Sequence, residues 1–161
     1  MHERLVLSEG ERRFVEAVGQ HVEIFGLPRI AGRTFALMLV APRPLALEEI
    51  AALLKVSRAS VSINTRIGIA LGAIELHSEP GDRRKYYVFA EHAFENRLTM
   101  LNRYITGIRR ILADAVAGLS PTNRVGRQRL ETFQQLINLV AEKSSEIFPQ
   151  LLEQIQKKRS P

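Results

Sequence analysis

The chain of 161 residues contains no cysteine and no tryptophan, and aromatic residues make up only 6% of it. Without thiols it forms neither disulfides nor thiolate metal sites. Long apolar runs are missing too. No stretch approaches the roughly 20 apolar residues that span a bilayer. The opening MHERLVLSEGERRF has no apolar core after its charges, so it does not read as a signal peptide. Also missing are GxGxxG, a phosphate loop ending in Gly-Lys-Ser/Thr, HExxH and GxSxG, which removes the common nucleotide, zinc-protease and serine-hydrolase sites. The histidines His2, His21, His77 and His92 are scattered. His77 and His92, with Glu75, Glu79 and Glu91 nearby, lack the close ligand spacing of a metal motif. The expectation is a cytoplasmic protein, not an enzyme, with no cofactor and no metal.

Acidic residues are the minority among the charges. Seventeen Asp and Glu stand against 23 Lys and Arg, a formal net charge of +6 and a pI near 10.2. Such a balance favours an anionic partner, nucleic acid above all, although a solvated basic surface has the same composition. Hydrophobic residues at 45% are enough for a real core.

Residues 47–89 organise the rest. LEEIAALLKVSRASVSINTRIGIALGAI carries two helical apolar patterns separated by a polar turn at Lys55–Arg58. The first begins at Ala46 or Leu47, without a side-chain oxygen to cap it, and buries Ile50, Leu53 and Leu54. Ser57 is a good N-cap for the second. On that helix Val61, Asn64, Gly68 and Leu71 share one face, while Arg58, Ser62 and Arg66 lie opposite, flanked by Ala59 and Ile63. ELHSEPGDRRKYYVFA then reads as two short strands joined by a tight turn at Pro80–Gly81–Asp82. Helix, turn, helix and two-stranded wing in that order specify a winged helix-turn-helix. Between positions 55 and 85, six basic side chains face three carboxylates.

Upstream, Ser8 and Glu11 form a capping-box pattern before a helix through Phe14, Val15, Val18, Val22 and Phe25. Gly26 stops it and Pro28 opens the next helix, Arg29–Val40, in which Gly32 hints at close backbone packing. APRPLAL breaks that helix. Downstream, a long helical pattern runs from Glu91 to Leu119. Ser120–Pro121 caps and opens a last helix, which Pro149 is expected to kink or restart. The final QKKRSP reads as a frayed tail. The two long helices carry more apolar stripe than so small a domain covers by itself. Residues 1–27 (N-terminal helix) and 91–161 (C-terminal helices) are therefore assigned to a dimerisation region, around a winged domain at 28–90.

FGLPRIAGRTFALMLV, LALEEIAALLKVSRASVSINTR and LGAIELHSEPGDRRKYYVF together resemble the GbsR-like branch of the MarR family of winged helix-turn-helix regulators. The likeness covers roughly residues 8–117. It rests on Leu27-Pro28-Arg29, Ala31-Gly32-Arg33, Ser60-Val61-Ser62, Asn64-Thr65-Arg66 and Gly81-Asp82-Arg83. The resemblance implies a homodimeric transcriptional regulator reading a near-palindromic double-stranded site. It also implies repression relieved by a small effector, and a wing braced by Asp82 and Arg84. Gly68, Ile69 and Ile63 depart from the family pattern, so its base preference does not transfer.

The residues expected on DNA are Lys55, Arg58, Ala59, Ser60, Ser62, Ile63, Arg66, Arg83, Arg84 and Lys85. Arg66 and Arg58 suit guanine edges or phosphates, the serines suit either, and Ala59 and Ile63 suit thymine methyl groups. Arg29 and Arg33 reach either phosphates or a partner helix, and the sequence does not choose. Tyr86, Phe89, Phe94 and Tyr104 form a candidate effector pocket, the plainer reading being ordinary core. A winged helix serving only protein–protein contacts is the alternative function; Ile63 and Ile69 favour it, the basic wing opposes it.

Overall fold

The computed structural model describes residues 5–159; His2 and the Ser160–Pro161 end of the tail fall outside them. The chain forms a mainly helical winged helix-turn-helix followed by two long helices, and it divides into two compact units, the first up to Ala93 and the second from Phe94.

The first unit opens with α1 (Glu9–His21). Its capping box is closed: Ser8 Oγ accepts from the Glu11 N–H at 3.2 Å, and the Glu11 carboxylate accepts from the Ser8 N–H at 2.7 Å. A 3₁₀ turn, Val22–Phe25, ends at Gly26, whose φ of 72° belongs to the left-handed region where glycine is at ease. Helix α2 (Arg29–Val40) packs against α1 through paired glycines. A Cβ built on Gly32 would fall 2.5 Å from Val22 Cγ2 and 3.1 Å from Gly19 Cα, so only glycine allows this approach.

The short helix α3 (Leu47–Leu54) starts without an oxygen at its N-cap, Ala46. The orphan amide is served from inside the helix instead. Glu49 accepts from the Ala46 N–H at 3.0 Å and is itself held by Arg43 at 2.7 Å. Helix α4 (Arg58–Ala70) is capped by Ser57, whose Oγ accepts from the Ser60 N–H at 3.1 Å. Strands β2 (Ile74–His77) and β3 (Tyr86–Phe89) pair antiparallel, Ile74 opposite Phe89 and His77 opposite Tyr86. The sheet has a third strand that the expected two-stranded wing lacked. Strand β1 (Leu45–Ala46) adds to β3, giving the order β1-β3-β2. Two residues wedged between a proline and a helix are too few to show a strand period. The core of this unit gathers Val15, Leu37, Met38, Leu45, Ile50, Leu54, Val61 and Ile74.

The second unit holds α5 (Ala93–Gly118) and α6 (Arg124–Arg159), linked by a hydrogen bond from Arg109 Nε to Asn138 Oδ1 at 3.1 Å. Two expectations are corrected here. Helix α6 does not open at Ser120–Pro121: these lie in the preceding turn, and Asn123 Oδ1 caps the helix by accepting from the Gly126 N–H at 2.9 Å. Nor does Pro149 restart it. The helix continues through as one element, forgoing the bond its missing N–H would have given Ser145. No described helix is long and apolar enough to cross a membrane.

Candidate nucleic-acid interface

Helix α4 has two unlike faces. Val61, Asn64, Thr65 and Gly68 are buried against the first unit's core, with Asn64 Nδ2 donating to Ser60 O at 2.8 Å and Thr65 Oγ1 to Val61 O at 2.9 Å. Arg58, Ala59, Ile63 and Arg66 face solvent, and Ser60 and Ser62 are half-buried at the margins. Ile63, 60% exposed, adds an aliphatic group to this outward face.

The two arginines differ in freedom. Arg58 is paired with Glu48 at the start of α3, Nη2 to Oε1 at 2.7 Å, whereas Arg66 has no carboxylate partner among the described residues. Glu48 is a site residue that periodicity did not flag, because the pair bridges two helices. Lys55 turns the chain between α3 and α4. It is the single described non-glycine residue with positive φ, at 53°, and its side chain is exposed.

The wing turn is built from Glu79 to Asp82. The Asp82 N–H donates to Glu79 O at 3.1 Å, with Pro80 and then Gly81 at φ 81° between them, as a type II turn requires. Past the turn the Asp82 carboxylate gathers four donors. Arg84 contributes its backbone N–H at 2.9 Å, its Nε at 2.9 Å and its Nη2 at 2.6 Å, and the Tyr86 hydroxyl donates at 2.8 Å. The Arg84 side-chain and backbone bonds, then the Tyr86 hydroxyl, hold Asp82 well below the usual carboxylate range. Donating to that carboxylate, together with burial, pushes Tyr86 up. The Arg84 guanidinium, also pushed up by Asp82, lies 5.4 Å from the Tyr86 ring centre. Arg84 is thus committed within the wing. Arg83 and Lys85 on either side are exposed, with no carboxylate partner among the described residues.

Arg29 and Arg33 are occupied within the chain. Both reach Glu16 of α1, at 2.9 and 2.6 Å, and Arg33 Nη2 also donates to Leu54 O at 2.7 Å. Of the candidate effector residues, Tyr86 is buried with its hydroxyl on Asp82, and Phe89 packs edge-on against Phe35. Phe94 and Tyr104 are exposed residues of the second unit. His77 pairs with Glu79 at 3.3 Å, and no group of three or more potential ligands among the described residues is placed to hold a metal.

No protein-family model matches the sequence. Over 82 residues the chain is 39% identical to the HTH-type transcriptional regulator MmpR5 of Mycobacterium tuberculosis; the match takes in 50% of each chain. The chain thus spans about half the length of the curated relative it matches. A crystal structure of a transcriptional regulator superposes with a TM-score of 0.75 at 26% identity, over 89% of this chain and 99% of that one. A MarR family regulator from Rhodococcus sp. RHA1 superposes much more loosely, at a TM-score of 0.41 and 18% identity over 81% of this chain and 89% of that one.

Proposed function

We propose that this chain is a sequence-specific, double-stranded DNA-binding transcriptional regulator of the GbsR-like MarR type. It acts as a homodimer on a near-palindromic operator, as a repressor released by a small effector. The observation that carries this is the outward face of α4, where Arg66 stands exposed without a carboxylate partner among the described residues, in one unit with a wing carrying Arg83 and Lys85. Helix in the major groove and wing on the flanking backbone or minor groove is the docking such a surface suits. The likeness to a regulator at a TM-score of 0.75 supports it. Dimerisation is supported by the apolar residues left exposed along α6, among them Phe133, Leu136, Val140 and Ile147.

The test is a titration against the DNA upstream of its own gene, with excess non-specific competitor, at two salt concentrations. A specific regulator gives a complex that resists competitor, is lost in Arg66→Ala, and leaves a footprint of two half-sites about one helical turn apart. Binding abolished by competitor leaves only a basic surface. The exposed Ile63 keeps one second reading in play, a winged helix that docks on protein, and the absence of binding at either salt would favour it.

A further inference from the structure

Beside the corner between α3 and α4, the first unit holds a cavity of about 460 Å³, enough for a small organic molecule. Its walls are aliphatic: Leu5 and Leu7 ahead of α1, Val15 on α1, and Leu53 and Leu54 on α3. No aromatic ring lines it, so a stacked aryl group has nothing to stack on. Five charged side chains reach the same space, and their partners decide what it attracts. Glu16 is held by Arg29 and Arg33, and Glu49 by Arg43 and the Ala46 N–H. Both acids are thereby neutralised from outside or across the cavity. Arg12 donates its Nε to Leu7 O, and neither it nor Lys55 has a carboxylate partner among the described residues. Arg33 Nε is buried without a hydrogen-bond acceptor.

From this juxtaposition of an aliphatic wall with uncompensated cations we infer that the cavity binds an aliphatic carboxylate of medium chain length. The chain lies along Val15 and Leu53, and the carboxylate meets Lys55 and Arg12. The site has a direct route to the proposed DNA surface, a link that rests on the reading above. Lys55 is the cation at the helix-turn-helix corner, and a carboxylate bound to its ammonium removes that charge from DNA phosphates. The carbonyl held by Arg33, that of Leu54, immediately precedes Lys55, so the site touches the corner from both sides.

Isothermal titration calorimetry of the full chain with octanoate tests the site without DNA. The proposal expects saturable binding of octanoate and none of octanol. It also expects affinity to weaken about tenfold in Lys55→Gln, which removes a charge-assisted bond, and in Ala52→Glu, which sets a negative charge on an exposed lining position. Both positions are at the surface, and thermal melts verify that the variants fold. No binding at millimolar octanoate, equal binding of octanol, or affinity unmoved by both substitutions overturns it. A DNA titration with octanoate then reads the coupling: weaker DNA binding in the native chain but not in Lys55→Gln supports it, and no change in the native chain refutes it. If the protein binds no DNA at all, the calorimetry still decides the cavity, and only the regulatory reading falls.

Discussion

A Cβ placed on Gly68 would sit 2.5 Å from Cδ1 and 2.9 Å from Cγ1 of Ile74, so helix α4 rests directly on the first residue of the wing. Ile74 is 2% exposed, so a shift of its side chain must displace packed neighbours. Gly68 looks like a weak point of the recognition helix when read for propensity alone. In the fold it is what lets Ile74 fill the space beneath that helix.

Replacing Gly68 should therefore lower stability although alanine is the better helix former. The overpacking of about 1–3 kcal/mol exceeds the roughly 1 kcal/mol of propensity gained. Urea or thermal melts of Gly68→Ala should show a lower midpoint. Combining it with Ile74→Val, which removes Cδ1, should recover part of the loss, and strictly additive effects would refute the contact.

Helix α3 depends on a cap supplied by its own third residue. Glu49→Ala strips the Ala46 N–H of its acceptor and removes the ion pair with Arg43, at a cost of about 0.5–2 kcal/mol in denaturant melts. Glu48→Ala, one position away, should cost much less, because Glu48 pairs with the exposed Arg58 in a solvent-screened ion pair. Equal losses would show that the cap contributes nothing.

The wing should tolerate acid. Asp82 has its carboxyl lowered by Arg84 and Tyr86, so its stabilising charge is fully present above the ordinary aspartate range near 4 and is lost only as pH falls through the lower folded value. Protection of the Arg84 amide from hydrogen exchange should thus persist down to about pH 4 and disappear in Asp82→Asn. At the alkaline end the sign reverses. Tyr86 is raised, so its contribution is intact below about pH 10 and fades as pH climbs through the folded value. A tyrosinate absorbance titration should show a late phase in the native chain that moves earlier in Asp82→Asn.

Arg83 and Lys85 should hold DNA by charge alone. Arg83→Ala with Lys85→Ala should weaken operator and random DNA alike, and should flatten the slope of log affinity against log salt by about 2. Arg66→Ala, by contrast, should cut the preference for operator over random DNA. A double wing variant that loses specificity while keeping the slope would place these residues on bases instead.

Much of the first unit was legible because its signals are local. Ser8 with Glu11, Ser57 with Ser60, and Pro80-Gly81 at the wing turn all satisfy backbone groups within three positions, and such patterns stand in the sequence as written. The boundaries of α2 and the start of α4 followed from period and caps, and the opposed faces of α4 from steps of three and four. Less legible were the elements whose reasons lie elsewhere. Strand β1 exists because β3 offers it an edge, and α6 starts late because the Ser120 hydroxyl is taken up within the turn by Thr122 while Asn123 serves the Gly126 N–H.

The sequence by itself thus determined the order helix, turn, helix, wing and the outward set of α4, since both arise from repeats and bonds between near neighbours. Only the tertiary structure decided which cations remain free. Arg33 closes on a carbonyl 21 positions away, Arg58 is drawn to Glu48, Arg29 to Glu16, and Arg84 folds back on Asp82, leaving, in the first unit, Arg66, Arg83, Lys85, Lys55 and Arg12 without a carboxylate partner among the described residues. A charge's availability depends on what the fold brings within about 4 Å of it, and neither composition nor period records that distance.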